Sequence, residues 1–360
     1  MNEYLPDTVS APGETLRDLL EEMSLSQAEL ATRMGRPKKT ISEIINGKAS
    51  ITTETALQLE MVLGVPADFW NAREHNYRDY LARVEQAQEL ARQYEWAKQF
   101  PLSKMAACGM VPKVKDKSEQ VRHLLRFLGV NAPEQWSELY SQYAVSFRRS
   151  TTFEADQNAL GAWLRAGVLR AAQVDTHDYG RDLFLLALRE ARGLTRESPE
   201  VFQPALQTVC AKAGVAVVFV PQLPKSRVSG ATRWLTPNKA LIQLSLRYRT
   251  NDHLWFTFFH EAAHILLHGK RSIFLDTFRH EGHEEEEANR WAADFLILPE
   301  QVTEIRAWGV YSKSAIREFA ATLGIAPGII VGRLQHEGLL PRNHCNDLKV
   351  RLEWATAAAS

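Results

Sequence analysis

Two histidines four residues apart, with a glutamate directly after the first, stand at His260, Glu261 and His264 in the stretch HLWFTFFHEAAHILLHG. Residues at i and i+4 project from one helical face about a turn apart, so both imidazoles can reach one ion, and imidazole nitrogen binds zinc well. Glu261 lies beside them, placed to contact a water held by the metal rather than the metal itself. Zinc lowers the pKa of such a water, and a carboxylate can take its proton and deliver it to a leaving amine, which is the chemistry of peptide-bond hydrolysis. Five characters with two free positions recur by chance, so context has to carry the reading. Here the motif sits on a strongly apolar helix, after a small sheet and before a second helix rich in carboxylates. The plainer alternative, two structural histidines beside a solvated acid, would need costly polar satisfaction on so apolar a helix. Mixed histidine and carboxylate ligation suits Zn2+ and does not separate it from Mn2+ or Fe2+.

A catalytic zinc takes three protein ligands and keeps one position open. The third belongs in EEEEANRWAADFLILP. On a helix Glu287 lies one turn before Trp291, while Glu284 aligns with Ala288, Trp291 and Phe295, so either can face inward; at least two of the four acids form a solvated face. The segment Asn251 to Pro299, with NDHLWFTFFHEAAHILLHGK and EANRWAADFLILP, resembles the ImmA/IrrE family of metallopeptidases, and the resemblance extends over Gly214 to about Leu340. It implies a zinc-dependent endopeptidase in which Glu261 is catalytic. It also implies that Glu287, the glutamate just before Ala288-Asn289, completes the metal site of His260 and His264. Ala262-Ala263 departs from the Leu-Gly of many members but keeps small residues. His268, one turn beyond His264, is a candidate for supporting the site or touching substrate, against the plainer account of a histidine at a helix C-terminus. His280, His283 and Tyr248 are candidates for stabilising an oxyanion, with nothing to choose among them.

A second chemistry stands near the N-terminus, in SQAELATRMGRPKKTISEIINGKASIT. A helix, a tight turn and a second helix are expected here, with Ala28, Leu30, Ala31, Ile41 and Ile44 as a small core and Gln27, Pro37 to Thr40, Ser42, Glu43 and Asn46 outward. Arg33 to Lys48 holds five basic side chains against one acid, although Met1 to His75 carries seven against twelve. Positive charge is thus gathered on the element that would meet phosphates. The stretch from about Pro12 to Arg73, with ISEIINGKASITTETALQLEMVLGVPADFW, resembles the HigA-type antitoxin branch of the Cro/repressor-like helix-turn-helix family. That resemblance implies reading of the DNA major groove by Lys38, Lys39, Thr40, Ser42 and Glu43, and binding as a homodimer to paired half-sites; Gln27 and Asn46, outward on the same motif, are further candidate DNA contacts. A helical dimerisation domain without DNA contact is the plainer alternative.

These sites need elements to hold them. Ser26 with Glu29 three residues on is a capping-box spacing, and Gly35, Asn46-Gly47 and Gly64 punctuate short helices. Tyr77 to Gln99 is a polar helix, and helical pattern continues from Pro101 to about Arg192. After Gly214 the pattern changes: Val215 to Val220, Val228 to Trp234 and Lys239 to Ser245 read as short strands of an antiparallel sheet. Within it Ser229 to Thr232 is expected to be a substrate-accepting edge, with the region from Tyr77 to Arg192 as its cover. SKSAIREFAATLGIAPGIIVGRLQHEGLL repeats a helix-turn-helix pattern and is read as packing or partner recognition within the peptidase half, against a second DNA reader whose second helix would offer only Arg333 as a base.

The expected fold is multidomain and mainly α: an all-α helix-turn-helix domain over 1–75, a helical connector over 76–192, and an α+β zincin-like peptidase domain with a small antiparallel sheet over 193–360. The 43 Lys and Arg balance the 43 Asp and Glu over 360 residues, so overall charge is silent on a nucleic-acid partner. The lack of a signal peptide pattern, of any long apolar run and of paired cysteines among Cys108, Cys210 and Cys345 leads to the expectation of a cytoplasmic protein away from membranes. The functional expectation is a DNA-binding transcriptional regulator whose endopeptidase cleaves a regulatory protein, whether repressor, antitoxin or itself, in response to a signal in a stress or toxin–antitoxin setting. Its rival is an antitoxin-like repressor whose peptidase-like half serves only as sensor or scaffold.

Overall fold

The structure is a computed structural model and describes residues 9–139, 156–269, 274–276 and 282–354. The chain divides into two compact units, Met1–Tyr94 with Asp116–Glu119, and Glu95–Lys115 with Gln120–Ser360.

The first unit is all α. Helices α1 (Pro12–Glu22), α2 (Gln27–Met34), α3 (Lys38–Ile45), α4 (Thr53–Leu63) and α5 (Ala67–Arg92) follow with short turns. Their limits are set by local chemistry. The Ser26 hydroxyl accepts the Glu29 N–H and opens α2, and Gly35 closes it in the left-handed conformation at φ 63°; Thr52 caps α4 in the same way, and Gly64 ends it at φ 74°. Leu16, Leu30, Ile41, Ile44, Leu59 and Trp70 close a buried core. Ala28 is an exception to the expected core, because it lies on the exposed face of α2; Met34 and Ile45 fill the interior instead. The polar helix expected from Tyr77 is the distal part of α5, which begins ten residues earlier so that Trp70 can be buried.

The second unit contains α6 (Tyr94–Ala97, straddling the division), α7 (Leu102–Ala107), α8 (Lys117–Leu128, also straddling it), α9 (described over 133–139), α10 (Gln157–Ala172), α11 (Arg181–Gly193) and α12 (Pro199–Ala211). Strands β1 (Val215–Phe219), β2 (Gly230–Thr236) and β3 (Lys239–Leu244) follow, then α13 (Asn251–Leu267), β4 (Phe274–Asp276), α14 (His283–Leu296), α15 (Pro299–Arg306), α16 (Lys313–Leu323) and α17 (Pro327–His336).

The sheet order is β1-β3-β2-β4. It is mixed rather than antiparallel: β1 runs parallel to β3, with Val217 opposite Ile242, while β2 is antiparallel to both neighbours. Alternation along β3 sends Ala240, Ile242 and Leu244 into the main core and Gln243 to the other face, where its amide N–H donates to the Trp163 carbonyl of α10 at 2.7 Å. A Cβ on Gly167 would lie 1.7 Å from Gln243 Oε1, so this helix approaches as closely as glycine allows. Covered on both faces, β1 is buried throughout, which is why VAVVFV shows no polar alternation.

The connector expected over 76–192 does not form a layer of its own. Phe184, Ala187, Leu188 and Ala191 of α11 lie in the same core as the sheet and α13. Arg192 donates from Nε and Nη2 to the Leu296 carbonyl at 3.0 and 2.9 Å, and from Nη1 to Leu323 O at 2.8 Å. The guanidinium thereby satisfies the ends of α14 and α16, and a cut at 193 would pass through packed structure. The expected edge is also different, because Gly230, Ala231 and Thr232 pair with Asp276, Leu275 and Phe274, which makes β4 the outer strand there.

Residues after α17 return to the start of α13. Lys349 Nζ lies 2.6 Å from Asp252 Oδ2, the Val350 N–H donates to Asn251 Oδ1 at 3.0 Å, and Thr250 bridges Arg351. Helix α17 buries Ile329, Ile330, Val331 and Leu334, so the second helix-turn-helix pattern is internal packing. Among the described residues no single helix is long and apolar enough to cross a membrane.

Candidate metal centre

Helix α13 is apolar on nearly every side because it runs through the middle of the second unit, and His260, Glu261 and His264 are all fully buried on it. The one-turn spacing brings His260 Nε2 and His264 Nε2 to 3.0 Å. The third donor is Glu285: its Oε2 lies 3.2 Å from His260 Nε2 and its Oε1 3.4 Å from His264 Nε2. Four-coordinate zinc with bonds near 2.0–2.1 Å separates adjacent ligand atoms by about 3.3 Å. The three donors therefore already stand at the edges of such a polyhedron, with all ligand atoms within 4.8 Å of one another.

The electrostatics agree. Burial pulls the His264 pKa down to about 4 against the opposing pull of its Glu285 contact, so the ring is neutral near pH 7 and its lone pair is available. Burial would raise the Glu285 carboxyl, but its hydrogen bonds with His260 and His264 outweigh that and hold it well below the usual carboxylate range. A carboxylate and two neutral imidazole nitrogens facing one point repel one another unless a proton or a cation lies between them. The donor set fits a zinc-type divalent ion.

This geometry corrects the expectation for Glu287. Its Oε2 lies 3.3 Å from His268 Nε2, and its side chain is 45% exposed, whereas that of Glu285 is 22% exposed. The reason lies in the helix contact: Ala288 and Ala292 are completely buried against the interior, and positions 285, 288, 289 and 292 share the face they define. Trp291 and Phe295, the aromatics that served as the guide to an inward face, are only partly buried and stack on each other with centroids 4.7 Å apart. Small residues mark the line where α13 and α14 come together. Asn289, which no motif pointed to, places its Oδ1 2.9 Å from His260 Nδ1, where it accepts when the ring proton sits on that nitrogen.

The place of Glu261 is equally specific. Strand β2 passes over it at Gly230, where a Cβ would lie 2.6 Å from Glu261 Oε1 and 2.6 Å from Thr257 Cγ2. Thr232 Oγ1 donates to the Glu261 carbonyl at 3.1 Å. The small residues expected to admit a substrate strand thus make room for the Glu261 carboxylate. His268 joins the site through its Nδ1, 2.8 Å from His264 Nδ1. Of the oxyanion candidates, Tyr248 is exposed and stacks on His253 at 4.4 Å, His283 is exposed at the start of α14, and His280 lies outside the described residues.

In the first unit Lys38, Lys39 and Asn46 are exposed on or just after α3, while Gln27, Thr40, Ser42 and Glu43 are half-buried. The basic surface is smaller than the sequence count suggests. Arg33 pairs with Glu29 at 2.5 Å, Arg36 with Glu54 at 3.1 Å, and Lys39 approaches Glu43 at 3.8 Å. Asn46 turns its amide back to the Ser42 carbonyl at 2.7 Å.

A small helix-turn-helix unit and a unit with an HExxH helix packed on a mixed sheet make this a two-part chain. Residues 16–70 match the family described as Helix-turn-helix, and residues 210–335 match the peptidase family described as IrrE N-terminal-like domain. The chain carries a helix-turn-helix domain at its N-terminus and an IrrE-like peptidase-family domain towards its C-terminus. It is 34% identical over 59 residues to the uncharacterised HTH-type transcriptional regulator YddM of Escherichia coli K12, a match that spans 16% of this chain and 63% of that relative. Two solved structures are similar to a part of the chain. One is an antidote-type protein of a plasmid maintenance system from Nostoc punctiforme, 30% identical, covering 22% of this chain and 88% of that one with a TM-score of 0.22. The other is an addiction module antidote protein of a HigA family from Coxiella burnetii, 28% identical, covering 24% and 94% with a TM-score of 0.22.

Proposed function

We propose that this protein is a DNA-binding transcriptional regulator carrying a zinc-dependent endopeptidase that cleaves a regulatory protein, a repressor, an antitoxin or the chain itself, in response to a signal. The observation that carries the peptidase reading is the convergence of His260 Nε2, His264 Nε2 and the Glu285 carboxylate on one point, with Glu261 buried on the same helix turn. His260, His264 and Glu285 would hold the metal. When bound, zinc supplies Lewis-acid polarisation of water and of the scissile carbonyl. Glu261 would take the proton of the attacking water as the new C–O bond is made, and would then hand that proton to the amine nitrogen, so that the peptide C–N bond breaks with the nitrogen leaving as a neutral amine. The surrounding apolar side chains of α13 and the strand over Glu261 keep that proton from bulk solvent.

For the first unit, DNA binding is supported by the match to the helix-turn-helix family and to an HTH-type regulator. Exposed Lys38 and Lys39 would meet phosphates from α3, and binding as a homodimer would place two such helices on paired half-sites. The decisive experiment is metal analysis of the purified protein together with cleavage assays on proteins encoded beside its gene, for the wild type and Glu261→Gln. One zinc per chain with cleavage lost only in the variant supports the peptidase. A wild-type protein that binds no divalent metal under zinc-replete conditions would leave the sensor or scaffold reading standing instead.

A further inference from the structure

Both imidazoles that meet at the metal point have their second ring nitrogen engaged, and by different partners. His260 Nδ1 faces Asn289 Oδ1 at 2.9 Å. His264 Nδ1 faces His268 Nδ1 at 2.8 Å, and His268 Nε2 faces Glu287 Oε2 at 3.3 Å. If both Nε2 lone pairs are to point at one ion, the protons of the two rings must sit on Nδ1. That requirement fixes every other proton in the set. His260 Nδ1–H donates to the Asn289 carbonyl oxygen. His264 Nδ1–H donates to the Nδ1 lone pair of His268, whose own proton then sits on Nε2 and points at the Glu287 carboxylate.

We propose that His268 and Glu287 form a positioning chain that holds His264 in its metal-binding tautomer, and that Asn289 does the same for His260. This rests on the metal-site reading above. Glu287 is needed because His268 can otherwise place its proton on Nδ1, which would set two N–H groups against each other across the contact with His264. The chain is also shielded, since the His268 side chain is only 4% exposed. One helix thus supplies both a ligand, Glu285, and the two terminal acceptors, Glu287 and Asn289, so its docking on α13 sets ligand position and imidazole orientation together. None of these positioning residues touches substrate in this scheme. They act through His260 and His264.

The test is zinc affinity of the full chain by competition with a chelator, together with the visible spectrum of the Co2+-loaded protein. His268→Leu removes the acceptor and is expected to weaken zinc binding by about 10–100-fold and to alter the Co2+ spectrum. His268→Gln, whose amide oxygen can accept from His264 and whose NH2 can donate to Glu287, is expected to restore most of that affinity. Glu287→Leu is expected to cost less than His268→Leu, and the double variant no more than His268→Leu alone, because the two residues act in series. The proposal is overturned if His268→Leu binds zinc as tightly as the wild type, or if the effect of Glu287→Leu persists in full when His268 is already gone. An equal weakening in Glu287→Leu and Glu285→Ala would make Glu287 a ligand and equally overturn it. Should His268→Leu fail to fold, His268→Gln and the half-exposed Glu287→Leu still decide. Absence of zinc binding by the wild type would instead sink the metal reading itself.

Discussion

The two units of this chain are assembled over different distances along the sequence. In the helix-turn-helix unit the side-chain caps that open α2 and α4 reach three residues along the chain, from Ser26 to Glu29 and from Thr52 to Thr55. In the second unit the equivalent work is done by residues far apart: Arg192 serves carbonyls 104 and 131 residues away, and Asn251 accepts from a residue 99 positions on. A site whose geometry is written in local chemistry and one that depends on distant partners therefore respond differently to change. Loss of a cap in the first is expected to act on one helix end, whereas loss of a distant partner in the second is expected to reach the helix of the candidate metal site from either side of it in the sequence.

The largest expected effect tests this contrast at the metal helix. His264→Ala is expected to lose both zinc, measured by metal analysis, and hydrolysis. Glu261→Gln is expected to keep the metal but slow cleavage by about 10²–10⁴-fold, the range of a lost general base. A wild-type rate in Glu261→Gln would break the mechanism. In both variants operator affinity, measured by fluorescence anisotropy, should stay as in the wild type; a parallel fall would deny the independence of the two units.

Next in size is a pH effect confined to the second unit. His264 has a folded pKa near 4, below its ordinary value of 6.5, and Glu285 is also depressed. For each, the unfolded chain binds the proton more readily, so stability is fully present above the unfolded values and is lost as pH falls towards the folded ones. The metal-free protein is therefore expected to lose stability in its second unit between about pH 6.5 and 4. Urea titrations at several pH values check this, and a stability that rises on acidification would contradict it.

Smaller effects belong to the first unit. Lys38→Ala with Lys39→Ala is expected to weaken operator binding and flatten its salt dependence by about one unit of slope for each phosphate that is no longer neutralised. An unchanged slope would favour the dimerisation domain over the DNA reader. Ser26→Ala removes the cap of α2 and is expected to cost about 1 kcal/mol, seen as a shift of about 4–8 °C in the melting of this unit alone. A shift spread equally over both units would show that they melt as one.

The same difference in distance decides what the sequence could reveal. Helix α3 and helix α4 begin and end where their glycines, Asn46 and Thr52 dictate, and His260, Glu261 and His264 need only one helix to come together. The third ligand needs two. Choosing between Glu285 and Glu287 depends on how α14 rotates against α13, and that rotation follows from where two flush alanines, Ala288 and Ala292, let the helices approach. Large aromatics draw the eye more readily, yet Trp291 and Phe295 pack at the flank. The parallel pairing of β1 with β3 is hidden for a related reason. The strand's apolar run fits a buried strand in either direction, and only the partner across the ladder reveals which.

The return of the chain to the head of α13 has a consequence for synthesis. Lys349 and Val350 secure Asp252 and Asn251, the first residues of the helix that bears the metal ligands. On a ribosome adding about 5–20 residues per second, the helix-turn-helix unit is complete while these anchors are still on the order of ten to fifty seconds from being made. A nascent chain can thus have a finished N-terminal unit well before the head of the helix that carries His260, Glu261 and His264 is tied down, and the order of emergence itself makes the candidate metal site the later of the two to be completed.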